Sequence, residues 1–108
     1  MPRGASAVVD TRKVVDYLLS REHPVDRNKA RVFERALGLT LPDASLLVGA
    51  LRTAALQDEA VLTGSDRFGD RHRIDFGMEV GGRRATIRSA WLVPAALAPP
   101  MFLTAFVL

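Results

Sequence analysis

The sequence predicts an α+β domain, with helices in its first half and a four-stranded antiparallel sheet in its second. Three observations lead to this prediction. Apolar residues recur at helical spacing as far as Gln57, apolar and polar residues alternate beyond Asp58, and Gly81-Gly82 joins two alternating segments as a hairpin turn. We expect one domain over residues 1–108, with 1–9 as a flexible lead, 10–57 as the helical half and 58–108 as the sheet half.

Start and stop signals divide the first half into three helices. Asp10 is a suitable N-cap for a first helix of about residues 11–20, with an apolar face of valines and leucines. A second helix runs from about Asp26 to Leu37, where Gly38 supplies the left-handed residue that ends it. The segment Thr40-Leu41-Pro42-Asp43 has the pattern of a third helix start, and that helix ends near Gln57.

The second half divides into four strands. These are Ala60 to Thr63, ended by Gly64-Ser65-Asp66, then Arg71 to Val80, Arg83 to Val93, and Met101 to Leu108. The glycine turn fixes the register of the middle two strands, so that Phe76 faces Ile87 and Asp75 faces Arg88. One face of this hairpin is therefore apolar, while the other pairs opposite charges. The last strand lacks alternation, which is typical of a strand that is covered on both sides or central in its sheet.

Composition excludes several kinds of site. The chain has no cysteine, which excludes disulfides, thiolate metal sites and cysteine nucleophiles. Only His23 and His72 offer imidazole ligands, so we expect no metal and no other cofactor. The net charge is +3, and thirteen of the fifteen basic residues are arginine. Arginine suits phosphate recognition, although a general compositional bias explains its abundance equally well.

The eighteen residues from Trp91 to the C-terminus carry no charge and therefore resemble a membrane span. Three prolines in this segment would disrupt such a helix, so we interpret it as strand, loop and strand, with no membrane partner. The loop Pro94–Pro100 is apolar, and it either packs on the domain or binds a partner. The first nine residues lack the apolar run of a signal peptide, so we expect a cytoplasmic protein.

The remaining candidates for chemistry are basic and hydroxyl residues in three places: the polar connector from Ser20 to Asp26 with the second helix, the charged face of the sheet, and the last strand. RNA cleavage without metal needs a base for the ribose 2′-hydroxyl, cations for the phosphorane-like transition state, and an acid for the leaving oxygen. The candidates for catalysis are His23, Lys29, Arg71 and Arg88, and those for substrate binding are Arg27, Arg31, Arg73, Thr86 and Thr104.

Each of these residue types also has a purely structural interpretation. His23 precedes Pro24 and is equally suited to fixing the connector, while Lys29 is typical of a solvated helix face. Arg88 faces Asp75, and its structural interpretation is an ion pair across the strands. His72 falls on the apolar side opposite Trp91, where it favours sheet packing over a catalytic role.

The ordered motifs resemble an uncharacterised bacterial family of about this length, a domain of unknown function. They are His23-Pro24 with Lys29-Ala30 at a helix start, Gly69-Asp70-Arg71, Ile87-Arg88-Ser89-Ala90-Trp91, and the ending Leu103-Thr104-Ala105-Phe106. The resemblance covers roughly residues 8–108. Asp26 stands where the family usually has glycine, Asn28 replaces a common histidine, and the loop before the last strand is apolar instead of charged.

Such domains occur beside a small partner gene and at the tips of secreted bacterial toxins, and their layout resembles the barnase, EndoU and RelE group of RNases. The resemblance implies a metal-independent endoribonuclease toxin that cleaves tRNA or mRNA. It also implies a cognate inhibitor or antitoxin, for which Pro94–Pro100 and the final strand are the candidate surface. The alternative is a non-catalytic, protein-binding module of the antitoxin or immunity type, and a third hypothesis is RNA binding without cleavage.

Overall fold

The computed structural model describes residues 1–20 and 27–108, apart from the side chains of Tyr17 and Arg27. In these residues, helices are followed by one antiparallel sheet with strand order β1-β2-β3-β4, which confirms the predicted α+β class. The elements are α1 Thr11–Lys13, α2 Arg27–Leu37, α3 Ala44–Gln57, β1 Ala60–Asp66, β2 Gly69–Val80, β3 Arg83–Pro94 and β4 Met101–Val107.

The first helix begins as predicted but does not continue as a regular α-helix. The Asp10 carboxylate accepts a hydrogen bond from the backbone N–H of Arg12, as an N-cap should. After Lys13 the chain widens into a π-helical turn over Val14–Leu18, closed by the Leu19 N–H donating to the Val14 carbonyl at 3.0 Å. The helix predicted over about 11–20 is therefore present over 11–18, and its second half is π-helical.

The capping signals of the next two helices are confirmed. Gly38 has φ +72°, the left-handed conformation that ends α2. Thr40 and Asp43 form a reciprocal capping box, with the Thr40 N–H donating to Asp43 Oδ2 at 3.0 Å. A 3₁₀ turn over Leu41–Asp43 then leads into α3.

The central hairpin has the register that the glycine turn predicts. Each predicted pair is present, from Val80 opposite Arg83 to His72 opposite Trp91. The pairing extends further than expected, to Gly69 opposite Pro94. Gly81 and Gly82 have φ of +56° and +84°, the positive values that a two-residue turn of this kind requires.

The prediction for the end of β1 is wrong. The residues expected to end the strand, Gly64-Ser65-Asp66, continue the pairing with β2, and the register shift lies at Thr63. Glycine is common both beside β-bulges and in turns, so the residue types alone do not show whether the strand ends at Gly64 or continues past it. The turn comes later, where Asp66 Oδ1 accepts from the Phe68 N–H at 2.8 Å.

β4 is an edge strand, not a central one, so that part of the prediction is wrong. Its outer edge is nevertheless partly covered by the chain's N-terminal residues. The Val8 N–H donates to the Pro100 carbonyl at 2.8 Å, and the Phe102 N–H donates to the Val8 carbonyl at 3.0 Å. Lys13 Nζ donates to the Phe102 carbonyl at 3.1 Å. The segment 1–9, expected as a lead, thus contributes to the end of the sheet.

The core lies between the helices and one face of the sheet. Trp91 and Phe102 meet there edge to face, with ring centroids 5.4 Å apart. Ser89 satisfies the buried indole, because its hydroxyl accepts from Trp91 Nε1 at 2.9 Å and donates to the Ile74 carbonyl at 2.8 Å. Aliphatic residues from the helices complete this core; among them are Val14, Leu18, Leu37, Leu47 and Leu51.

In the described part of the chain, no single helix has the length and apolar character needed to cross a membrane. The helices over 28–37 and 41–57 meet those requirements only when taken together, and their axes are bent by 73° at the break between them.

Candidate functional site

The face of the sheet that points away from the core carries the charged residues, and we call it the open face. Period-two alternation produces it: Ile74 and Phe76 are buried in β2, whereas Asp75 and Gly77, which follow them in turn, are exposed. The same alternation in β3 buries Ile87 and Ser89 and turns Arg88 outward. Cross-strand partners share a face, so the register shows which outward residues are neighbours.

Arg88, Asp75 and Arg73 form a charged cluster at the centre of the open face. Arg88 donates from Nε and Nη2 to the two carboxylate oxygens of Asp75, both at 2.9 Å. Arg73 Nε lies 3.9 Å from Asp75 Oδ2. The hydrogen bond from Arg88 holds the pKa of the Asp75 carboxyl below its ordinary value, and the same contact raises the pKa of Arg88. Because the Asp75 pair uses only two of the five guanidinium N–H donors, Arg88 can also contact an anion.

Arg71 lies on the open face two residues before Arg73, but it is paired elsewhere. Its Nη2 lies 3.2 Å from Asp66 Oδ2, near the β1–β2 turn. The Phe68 N–H is the main cause of the lowered pKa of Asp66, and the Arg71 hydrogen bond lowers it further. Arg71 therefore borders the central cluster instead of belonging to it.

Lys29, at the start of α2, reaches the sheet at β4. Its Nζ donates to Thr104 Oγ1 at 3.0 Å. Thr104 is paired with Ala90, which is in turn paired with Arg73. Because neighbouring strands lie about 4.8 Å apart, the Cα atoms of Thr104 and Arg73 are about 10 Å apart. The beginning of α2 thus lies beside the charged cluster.

Three other predicted site residues, His23, Arg27 and Arg31, are not placed in the charged cluster by the described structure. His23 and the side chain of Arg27 lie outside the described residues. Arg31 is exposed, but it follows Lys29 by two positions in α2, which rotates it about 200° around the helix axis. Arg31 therefore does not share the side of α2 from which Lys29 reaches Thr104.

Thr86 lies on the open face opposite Gly77, one row beyond the Asp75–Arg88 pair. It is exposed, and its hydroxyl has no hydrogen-bond partner among the described residues. Between Thr86 and the hairpin turn, Arg84 donates from Nε to Glu79 Oε2 at 2.9 Å.

Sequence reasoning missed one member of the open face. Phe106 is paired with Arg88 and is 39% exposed, so an aromatic ring lies next to the charged cluster. The apolar run of β4 carries no alternation from which its outward residues can be identified. In addition, the register shifts where Ala90 pairs with Thr104 and Trp91 pairs with Phe102. Phe106 is identified as an outward residue only from the pairing of β3 with β4 in the structure, where it lies opposite Arg88.

His72 lies on the core side, between Leu62 of β1 and Trp91 of β3, in the pairing that the sequence predicts. Its Nδ1 is buried and has no hydrogen-bond partner among the described residues. In those residues no three histidine or acidic side chains come together as metal ligands would. The described site therefore consists of arginine, lysine and threonine, the aspartate that pairs with the arginines, and the aromatic ring of Phe106.

Comparison with known proteins identifies a family and a structural neighbour. A chain of a solved contact-dependent growth inhibition toxin–immunity protein complex from Klebsiella pneumoniae 342 is similar in fold, with a TM-score of 0.74. The match covers 94% of this chain and 99% of that chain, at 20% sequence identity. At this identity the likeness shows the fold alone. No functionally curated protein matches.

The family assignment rests on the full length of the sequence. The profile of one family, described as a domain of unknown function, matches residues 1–108. This agrees with the family type expected from the motifs, while the resemblance to RNases stays a prediction. The chain belongs to the DUF6883 family of domains of unknown function.

Proposed function

We propose that this domain is the toxic component of a bacterial toxin system, that it cleaves tRNA or mRNA in the cytosol without metal, and that a small cognate protein neutralises it. The single observation that supports this most is the contact from Lys29 Nζ to Thr104 Oγ1 at 3.0 Å. This contact joins the start of α2, which His23 precedes in the sequence, to the face of the sheet that carries Arg73 and Arg88.

The open face has the chemistry that a phosphodiester requires. Arg73 and Arg88 both contact Asp75, and Lys29 contacts Thr104, whose Cα lies about 10 Å from that of Arg73. These cations can bind a backbone phosphate and stabilise the added charge of its transition state. Arginine presents a planar fork that matches phosphate oxygens. Asp75 keeps Arg88 oriented through two hydrogen bonds of 2.9 Å, so the cation is held in place before substrate arrives.

The proton transfers are assigned to the connector. In the proposed reaction the ribose 2′-hydroxyl attacks its own phosphorus, its proton passes to a base, and the 5′-oxygen leaves with a proton from an acid. His23 is the predicted residue for one of these transfers, since an unperturbed imidazole titrates near pH 6.5. Lys29, Arg73 and Arg88 do not need to change protonation in this scheme.

The toxin context is proposed from two observations. The similar fold comes from a toxin–immunity protein complex, and it covers nearly the whole of both chains. The loop Pro94–Pro100 also offers an exposed apolar surface for a neutralising partner. Leu97 is 90% exposed, and Arg3 fixes the loop by donating to the carbonyls of Ala98 at 3.1 Å and Pro94 at 3.4 Å.

The decisive experiment is RNA cleavage in the presence of EDTA. We expect purified protein to cut RNA, and Arg88→Ala, Lys29→Ala and His23→Ala to reduce the rate by at least about a hundredfold, the usual size of a lost electrostatic or acid–base contribution. Arg52→Ala, which removes an exposed arginine from α3 in the helical layer, is the matched control and should cut normally. Cleavage that persists in Arg88→Ala and His23→Ala, or that stops with EDTA, would refute the proposal.

The apolar loop also favours a second candidate, a non-catalytic immunity or antitoxin module. Its distinguishing outcome is a stable complex with the product of the adjacent gene, no RNA cleavage, and no toxicity when the domain is expressed alone. Leu97→Asp should break that complex, because it introduces a charge on a side chain that is 90% exposed and would be buried by the partner. An unchanged complex would show that the partner binds elsewhere.

A further inference from the structure

Gly77 is a glycine for which the fold of the domain gives no reason. It lies in the middle of β2, where glycine is less stable than alanine by roughly 0.5–1 kcal/mol because it loses more freedom on folding. Its backbone is not left-handed, and a Cβ added there would meet no atom within 4 Å. The pairing with Thr86 is regular, so no bulge requires it.

The other strand glycines have structural reasons. Gly69 has φ +139°, and a Cβ there would overlap the Val93 carbonyl. Gly64 follows the register shift of β1. A strand glycine without such a reason often marks the close approach of another molecule to the backbone.

Gly77 lies at the floor of an open groove of about 600 Å³. Among the described residues its lining comes from β2 and β3, and four of the lining residues, Gly77, Glu79, Arg84 and Thr86, belong to the open face. Its floor is low because Gly77 has no side chain and its partner Thr86 has a small one. Glu79 and Arg84 line it at one end, and the Asp75–Arg88 pair lies one row beyond Gly77 and Thr86 at the other. Asp75 and Glu79 are four positions apart along β2, which corresponds to roughly 13 Å.

We propose that this groove is a binding subsite for one nucleobase of an RNA strand whose phosphate contacts Arg88. The inference rests on the proposed function and adds to it the position of the base beside the scissile phosphate. A flat ring fits against the bare backbone of Gly77 as it would not fit against a side chain. Thr86 Oγ1 can donate to or accept from the edge of the base, and Arg84 and Arg88 offer guanidinium planes for stacking.

The position of the groove agrees with the phosphate site next to it. Arg88 belongs to the central cluster and lies one row from Thr86 on the open face, so a nucleotide can contact Arg88 with its phosphate while its base extends toward Thr86. Phe106, paired with Arg88, lies next to the same contact and provides a ring for the neighbouring base.

The test fills the groove without disturbing the fold. Gly77→Val adds a β-branched side chain in open space, so the variant should unfold at no lower a denaturant concentration than the wild type. Gly64→Val is the matched control, because that strand glycine also has open space around its Cβ position but lies away from the groove. Binding is measured by fluorescence anisotropy with a five-nucleotide RNA carrying 2′-fluoro sugars, which cannot be cleaved, and with an abasic oligomer of the same length.

We expect Gly77→Val to weaken binding of the base-containing RNA at least about fivefold, the low end of the effect of losing one stacked base. Binding of the abasic oligomer should not change, and Gly64→Val should change neither. Thr86→Val should weaken only the base-containing RNA. Equal weakening of both oligomers by Gly77→Val, no weakening of either, or no binding by the wild type would overturn the subsite.

The two proposals fail in different ways. If the wild type distinguishes base-containing from abasic RNA through Gly77 but cuts no unmodified RNA in EDTA, the subsite stands and the RNase function is wrong. If the wild type cuts RNA and Gly77→Val cuts it with unchanged KM, the function stands and the subsite is wrong.

Discussion

The two faces of the sheet are built from the same strands but differ in burial and in the kind of contact that their side chains make. On the core face Ile74, Ile87 and Trp91 have no measurable exposure, and a buried serine satisfies the indole N–H. On the open face Asp75 and Arg88 are each about one-third exposed in their side chains, and their contacts are ionic. Burial of apolar area stabilises the fold, whereas exposed ion pairs contribute little. Binding chemistry can therefore change on the open face while the core face maintains stability.

Two phenylalanines of β4 give the largest test of this comparison. Phe102 is 2% exposed and packs on Trp91, while Phe106 is 39% exposed beside Arg88. We expect Phe102→Ala to lower the free energy of unfolding by about 3–5 kcal/mol, the usual cost of an aromatic-to-alanine change in a core. Phe106→Ala should cost about 1 kcal/mol or less. Urea unfolding followed by circular dichroism measures both.

The pair is well matched, since both variants remove the same atoms from the same strand, four residues apart. Similar losses of stability in the two variants would show that the open face is covered in solution, for example by self-association. In that case sedimentation velocity should show a dimer.

The serines of β1 and β3 give a second, smaller test. Ser89→Ala removes the acceptor of the buried Trp91 N–H and should lower the free energy of unfolding by about 1–3 kcal/mol. Ser65 also uses its hydroxyl, donating to Asp70 Oδ1 at 2.7 Å, but it is exposed, so water replaces the lost bond in Ser65→Ala. Equal effects in thermal unfolding would mean that water reaches the Trp91 N–H.

The hairpin was predictable from sequence because three independent signals agree on it. The Gly81-Gly82 turn fixes the register, alternation fixes the faces, and charge pairing joins Asp75 to Arg88. β4 carries none of these signals. Its apolar run does not identify an outward face, and its bulge shifts the register. The residues that contact its outer edge, Val8 and Lys13, are far away in the sequence.

The candidate site was predictable as a set of residues but not as an arrangement. Chemistry alone groups Arg31 with Lys29, although helix geometry rotates them apart. The contact of Lys29 with Thr104 joins residues 75 positions apart, and no local pattern encodes such a distance. The sequence does not identify Gly77 as a site residue, because a glycine in a strand can be interpreted only when its pairing and its surroundings are known.

The Asp75–Arg88 pair gives the smallest expected effect, and it depends on pH. The folded-state pKa of Asp75 is depressed, so its contribution to stability is fully present above its unfolded pKa and is lost as pH falls through the folded value. Asp75→Asn should therefore unfold at a slightly lower temperature than wild type at pH 7, and the difference should shrink below about pH 4. Glu79→Gln, in the more exposed pair with Arg84, should differ less from wild type at pH 7. A difference for Asp75→Asn that persists at pH 2.5 would mean that the asparagine acts through packing, and the pair would then belong energetically to the core face.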